Sequence, residues 1–237
     1  MLNSKQLRSF YIIEAPFHSS TQQVLEDILN PELYFDGRKI FIKTNKIDSN
    51  ISEIELRWET VKEIKTEELD ESGEIHSVVK KITTVANVSV WIHSNYSFIY
   101  LFIKSGALLR EVLPYLETLL NTNLKKITFN NEFFYQLIGS NFTLDLFQSS
   151  FRSNNDKQLF SISGDFRKAL DMNFDFSDNV VTGITVLFNC LRETKAKVYK
   201  AGKIALYNSP DVDDIICIIE NISDLLMEMG KGGFSLE

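Results

Sequence analysis

Apolar and polar residues alternate along most of this chain, and the period lengthens from two to about 3.6 residues at only a few places. Residues 10–15 (FYIIEA) predict a short strand. Ser19, Ser20 and Thr21 then offer N-cap oxygens to a helix carrying Val24, Leu25 and Ile28 on one face. NPELYFDG at 30–37 is turn chemistry, and KIFIK at 39–43 alternates as a half-buried strand does. Alternation continues through 51–66 and 75–85 on either side of the charged, glycine-containing ELDESGE, which predicts a long solvent-exposed hairpin. NVSVWIH (87–93) and SFIYLFIK (97–104) predict two further strands across a turn at Ser94, Asn95 and Tyr96. Leu109, Val112, Leu113 and Leu116 then recur at helical spacing, predicting a helix over 108–120.

The second half follows the same order after a linker and a short helix near 133–138. Strands are predicted at 142–151 and 158–162, a short helix at 165–172, and strands at NVVTGITVLFN (179–189), TKAKVY (194–199) and KIALYN (203–208). Ala201 and Gly202 turn the last pair. Ser209 is placed to cap a helix over 211–229, with Pro210 at its first position, aspartates in the next turn and Gly230 as its stop. Setting 86–120 against 194–226 aligns strand, turn, strand, cap and helix nearly without gaps, and an internal repeat of this kind defines architecture. The expected fold is α+β, a pseudo-duplicated antiparallel sheet with helices packed on one face. A first repeat spans 1–122 with an inserted acidic hairpin at about 51–84. A linker follows at 123–140, and a second repeat occupies 141–237.

Composition narrows the function more than the fold. With 44% hydrophobic and 24% charged residues over 237 positions, the chain can bury a core in one large domain or two small ones. No apolar stretch approaches the roughly 20 residues that a bilayer-spanning helix needs, so no membrane partner is expected. MLNSKQLRSF lacks the apolar segment of a signal peptide, and Cys190 and Cys217 sit in apolar strand and helix patterns. They read as buried small hydrophobes in a reducing, intracellular setting rather than as a disulfide or ligand pair. A net charge of -7 and a pI near 5.1 argue against indiscriminate nucleic-acid binding, though not against a local basic face. The acids concentrate at 63–74 and 211–228.

Catalytic chemistry is thin. His18, His76 and His93 are isolated from one another and from the cysteines, so no metal-ligand spacing emerges. GKGGFSLE at the C-terminus lacks the strand and helix context of a phosphate-binding loop and reads as a fraying end. Trp58, Trp91, Phe133 and Phe134 read as packing. A non-enzymatic protein without cofactor is the expectation. The notable chemistry is basic: Lys195 and Lys197 alternate on one strand, and Arg192, Lys200 and Lys203 extend the patch across the adjoining turn. Such a row suits phosphates, but taken by itself it is better explained as a solvated strand edge that uses lysine to block aggregation. Lys39, Lys43 and Lys46 form a weaker counterpart in the first half.

The stretch from 179 to 230 resembles the second repeat of TATA-box-binding proteins. Val181-Thr182-Gly183-Ile184 stands where that family has Phe-Pro-Gly-Leu, and Tyr199-Lys200-Ala201-Gly202-Lys203 where it has Phe-x-Ser-Gly-Lys. In the first half NPELYFDG is similar to Pro-Glu-Leu-Phe-Pro-Gly, and Ile92-His93-Ser94-Asn95 occupies the place of Phe-x-Ser-Gly. The resemblance is good over about 50 residues and partial over about 100 more, and it does not include the acidic hairpin. It implies a saddle whose concave sheet binds AT-rich double-stranded DNA, with a transcription-factor-B-like protein and an RNA polymerase as partners, in a nucleus or a virus factory if the source is eukaryotic or viral and otherwise in the cytoplasm. The family's DNA-kinking positions would fall at Val181 and Tyr199, near Tyr34 or Phe35, and at Ile92. The family's strand-opening asparagine is represented by Asn141. Val and Ile wedge less well than Phe, because unstacking a base step is costly. The alternative is an interaction module that has kept the repeat fold and lost DNA binding. Such a module would dock its partner through the apolar strand face or the acidic helix of the second half; under either reading the acidic hairpin stands as a DNA mimic on the concave face, a partner-holding arm or a solvated insertion.

Overall fold

The computed structural model describes residues 7–16, 33–35, 37–103, 105–153, 159–163, 179–207 and 210–236, and its alternating segments join into one α+β sheet of thirteen antiparallel strands. The first half contributes β1 (Ser9–Glu14), β2 (Leu33–Phe35), β3 (Arg38–Lys46), β4 (Ile51–Leu69), β5 (Ile75–His93) and β6 (Phe98–Phe102), followed by helix α1 (Gly106–Leu120). Next come β7 (Lys125–Phe129), helix α2 (Asn131–Gly139), β8 (Thr143–Ser153), β9 (Leu159–Ser163) and β10 (Asn179–Asn189). The chain finishes with β11 (Glu193–Tyr199), β12 (Lys203–Leu206), helix α3 (Val212–Met229) and β13 (Phe234–Leu236). Across the sheet the order is β2-β3-β4-β5-β6-β1-β12-β11-β10-β8-β9, with β7 joined to the end of β1 and β13 to β7. None of the described helices is long and apolar enough to cross a membrane.

Several elements differ from the sequence expectation. NVSVWIH is not a separate strand but the inner end of β5, which pairs with β4 without interruption from Leu69↔Ile75 to Ile51↔His93. Within the turn-like NPELYFDG, residues Leu33, Tyr34 and Phe35 pair with β3, and Gly37 at φ +73° makes the turn. The expected linker holds a strand, β7, ahead of the short helix that the sequence does predict there, and the Phe129 and Phe133 rings of the two stack at 3.9 Å inside the core. The C-terminus does not fray, because β13 pairs with β7. The helices expected before 30 and near 165–172 lie outside the described residues.

Two apolar cores lie on opposite faces of the sheet. Residues directly opposite in an antiparallel ladder share a face, so the register carries face identity from strand to strand. Ile54, Leu56, Val90, Ile92, Ile99 and Leu101 form one face of the first half, and Leu109, Val112, Leu116 and Leu120 of α1 pack on it. The other face carries Phe10, Ile12, Tyr100, Val198, Ile204 and Leu206 beneath α2 and α3. α3 also reaches the first half, where Tyr100 Oη and Ser223 Oγ lie 2.7 Å apart and Tyr96 Oη donates to Asp224 at 2.6 Å. The expected single helical face is therefore corrected. β6 and β12 both run antiparallel to β1 and so parallel to each other, with their neighbours spreading to opposite sides. A half turn about β1 superposes those directions only by exchanging the two faces, which sends α1 and α3 to opposite sides.

Helix ends follow local chemistry. Ser105 Oγ caps α1 by accepting from Leu108 N at 3.2 Å, Asn130 Oδ1 caps α2 by accepting from Phe133 N at 3.0 Å, and Gly230 at φ +56° ends α3. α3 starts two residues after Pro210, later than expected, with Asp211 at its N-cap position. Cys190, just after β10, is bonded to Cys217 on α3, with 5.9 Å between the Cα atoms. The reading of both cysteines as inert hydrophobes is thereby corrected.

Candidate nucleic-acid interface

The β11–β12 hairpin owes its shape to a three-residue loop, 200–202. Thr194, Ala196 and Val198 point into the α3 core, so Lys195, Lys197 and Tyr199 point to the other face, where Lys203 and Ala205 of β12 join them. Gly202 closes the loop at φ +72°, and an added Cβ there would lie 2.1 Å from the Ile127 carbonyl oxygen. Three strands hold the loop in place. Ile12 N donates to Gly202 O at 3.1 Å, Phe129 N to Lys200 O at 2.8 Å, and Lys200 N to Thr182 O at 3.0 Å.

On this face each lysine lies over a tyrosine ring. Lys195 Nζ is 5.7 Å from the Tyr207 centroid, Lys197 Nζ is 5.1 Å from that of Tyr199, and Lys203 Nζ is 5.7 Å from that of Tyr11. Such cation–π contacts hold an ammonium at a defined height above the sheet and contribute about 0.5–1 kcal/mol each. Lys195 and Lys197 stand about 7 Å apart along β11, one pleat repeat. Burial pushes the Tyr11 phenol up, and burial followed by the charge of Tyr207 pushes Tyr199 up. Both therefore stay neutral at physiological pH, as hydrogen-bond donors that bring no negative charge beside the lysines. Thr185 lies opposite Lys197, is 3% exposed, and its hydroxyl has no hydrogen-bond partner among the described residues.

The remaining candidate residues fall elsewhere. Arg192 is drawn to the start of α3, where its guanidinium pairs with Asp211 at 2.9 Å and its backbone N donates to Asp214 Oδ1 at 3.0 Å. Val181 is buried in the α2–α3 core, its N–H donated to Asn131 Oδ1 at 2.9 Å, because a bulge between Val181 and Gly183 turns it away from the lysine face. Ile92 does belong to the lysine face, but in the first half, buried under α1. Val181 and Ile92 as wedges are corrected: both are core. Tyr34 is 57% exposed on β2, at the far end of the sheet and on the opposite face. Phe35 pairs with Arg38 through its backbone, and its side chain lies outside the described residues. Asn141 is exposed in the turn before β8. Lys39 and Lys43 of β3 lie on the opposite face as well.

The structure thus brings together Lys195, Lys197, Tyr199 and Lys203 and adds Tyr11, Tyr207 and Thr185. Tyr11 comes from the other end of the chain, and its place beside Lys203 depends on β1 pairing with β12, which no local pattern signals. Tyr207 was within reach, since it lies four residues after Lys203 and continues the alternation of β12. For metals, Asp70, Glu74 and His76 at the β4–β5 turn bring potential ligand atoms within 4.8 Å of one another, so His76 is less isolated than its spacing suggested. Asp70 already accepts from Ser72, from Glu74 N and from His76, which holds its carboxyl at about 2. No known family model matches the chain, and no curated protein does.

Proposed function

We propose that this protein binds DNA through the lysine–tyrosine face of β1, β10, β11 and β12. The observation that carries the reading is the placement of Lys195, Lys197 and Lys203, each over a tyrosine ring, on a half-face away from all three described helices. Four strands at about 4.8 Å spacing give a patch about 19 Å wide, enough to span a major groove of about 12 Å and reach phosphates on both sides. The ammonium groups contact phosphate, and the neutral phenols of Tyr11 and Tyr199 donate to phosphate or sugar oxygen. Neither Val181 nor Ile92 can unstack a base step from the core, and Tyr199 keeps its ring under Lys197, so this reading rests on no pair of wedges and carries no preference for a TATA sequence. Binding across a full saddle is not part of it either, because α1 occupies the first half of the same face. The two strand-meander-and-helix units suit a duplication turned over about β1. In an initiation factor of this kind, α2 and α3 on the other side would be left to a transcription-factor-B-like protein or an RNA polymerase.

The test is fluorescence anisotropy of a labelled AT-rich duplex titrated with the protein at low salt, with Lys195→Glu/Lys197→Glu in parallel. Binding that the double variant loses, while its melting curve stays cooperative, supports the reading. Failure to bind any duplex at low salt overturns it in favour of an interaction module.

A further inference from the structure

Beyond Glu59 on β4 and Val88 on β5, neither strand has a neighbour among the described residues other than its partner in the hairpin. Residues 60–69 and 75–84 therefore project as a two-stranded arm, ten residues deep and about 33 Å long. A two-stranded ribbon is marginal on its own in water, and both of its edges are unpaired. Its apolar residues are unevenly distributed between its two faces. On the side shared with Phe41 lie Val61, Leu69, Ile75, Val79 and Val85, between 47% and 72% exposed, while the other side carries the less exposed Ile64 (41%) and Ile82 (42%). With Phe41 at 61%, the first side forms an apolar stripe from the root of the arm to its tip.

Charge along that stripe is also polarised. Glu67, Asp70, Glu71 and Glu74 make the tip acidic, with Lys65 one pleat below Glu67, while Lys39, Lys43 and Arg57 surround Phe41 at the root and outnumber Glu55 and Glu59 there, Arg57 being paired with Glu55 at 2.6 Å. Midway, Glu63 and Lys81 pair across the two strands at 3.7 Å. A surface that is apolar along its length, acidic at one end and basic at the other is complementary to itself when turned end for end.

We propose that the arm is a homodimerisation element: the stripes of two copies pack face to face and antiparallel, each acidic tip on the other's basic root. The partner is a second copy of this chain, in an isologous pair with one two-fold axis. An arm about 33 Å long and about 10 Å wide gives a footprint on the order of 300 Å² per copy, well below a standard interface, so the association is weak. This proposal is independent of the DNA reading and is tested without DNA.

Sedimentation velocity of the full chain over a range of concentrations should show a monomer–dimer equilibrium. Val61→Glu/Val79→Glu changes only exposed positions, so its circular dichroism should match the parent while dimerisation weakens at least tenfold. The decisive experiment is a charge exchange. Lys39→Glu/Lys43→Glu, which makes the root acidic, and Glu67→Lys/Glu71→Lys/Glu74→Lys, which makes the tip basic, should each be monomeric alone, and mixing the two should restore a dimer containing one of each, because both tip-to-root contacts are then attractive. A chain that stays monomeric up to about 1 mM, where association would be worth no more than about 4 kcal/mol, overturns the proposal. So does a dimer that the arm variants leave intact, or a mixture that fails to associate.

Discussion

If Lys195, Lys197 and Lys203 carry phosphate contacts, the salt dependence of binding counts them. Each neutralised phosphate of duplex DNA contributes about -0.9 to the slope of log K against log salt, so three lysines give about -2.7. Raising salt from 50 to 200 mM should then weaken binding about 40-fold. Replacing Lys195 and Lys197 with alanine removes two of the three contacts, leaving a slope of about -0.9 and a loss of only about 3.5-fold over the same range. The structure also says what the substitutions do to the fold. Each removes one cation–π contact, to Tyr207 or Tyr199, at a cost of about 0.5–1 kcal/mol per site, and leaves the α3-facing Thr194, Ala196 and Val198 untouched. The folded fraction should therefore stay near one at 25 °C, which a thermal melt checks. The assay is anisotropy of a labelled duplex at five salt concentrations. A parental slope near zero, or a slope that the double variant does not change, would refute the argument that this face meets phosphate. An Arg192→Ala control should leave the slope alone, since that guanidinium is committed to Asp211.

Three further outcomes follow from the geometry. Cys190→Ser/Cys217→Ser opens a crosslink between residues 27 apart, and the loop-entropy estimate for that separation is about 3.5 kcal/mol, measurable as a lower urea midpoint; dithiothreitol should act on the parent in the same direction. Gly202→Ala should destabilise by about 2 kcal/mol or more, because it adds a left-handed-region penalty to a Cβ that meets the Ile127 carbonyl, and a wild-type midpoint would contradict that. At the arm tip, hydrogen bonds from Ser72, Glu74 N and His76 hold the Asp70 carboxyl at about 2, below its unfolded value of roughly 3.9. A depressed folded value stabilises the tip at pH above the unfolded one, and that contribution is lost as pH falls through about 2. Carboxyl titration by NMR should find Asp70 well below the usual carboxylate range, and an ordinary value would remove the turn geometry from the account.

Sequence patterning located these elements well wherever one face of a strand or helix is buried. The pairs Lys195/Lys197 and Ala196/Val198 announce their strand because opposite environments demand alternation, and the helix of Leu109, Val112 and Leu116 follows from the same logic at another period. The split of the long hairpin into separate strands failed for a related reason: in the arm both faces are wet, so the pattern from Ile75 to Val85 carries no sign that it continues into NVSVWIH. β7 went unread because its five residues, KKITF, look like a polar linker until β1 and β13 supply the ladder. The disulfide was misread because an apolar pattern fits a buried thiol as well as a half-cystine, and only the approach of α3 to the end of β10 separates the two.

The candidate site was legible in its parts and not in its boundary, and the boundary is what limits the function. Local sequence places Lys195, Lys197 and Lys203 on one side of a hairpin, but whether that side opens onto a long saddle or a short patch depends on how many strands separate β6 from β12. With two intervening strands, β6 and β12 would run antiparallel, both terminal helices would share a face, and the lysine face would extend across the whole sheet. With β1 alone between them, they run parallel and α1 crosses to the lysine side. β7 is the strand that would change the parity, and it is held out of that position because it pairs with only Ile13 and Glu14 of β1 before turning to β13. The Gly202 loop occupies the adjoining space, with Ile12 N donating to Gly202 O and Phe129 N to Lys200 O. The same few backbone contacts that shape the lysine hairpin thus also confine its face to one half of the molecule.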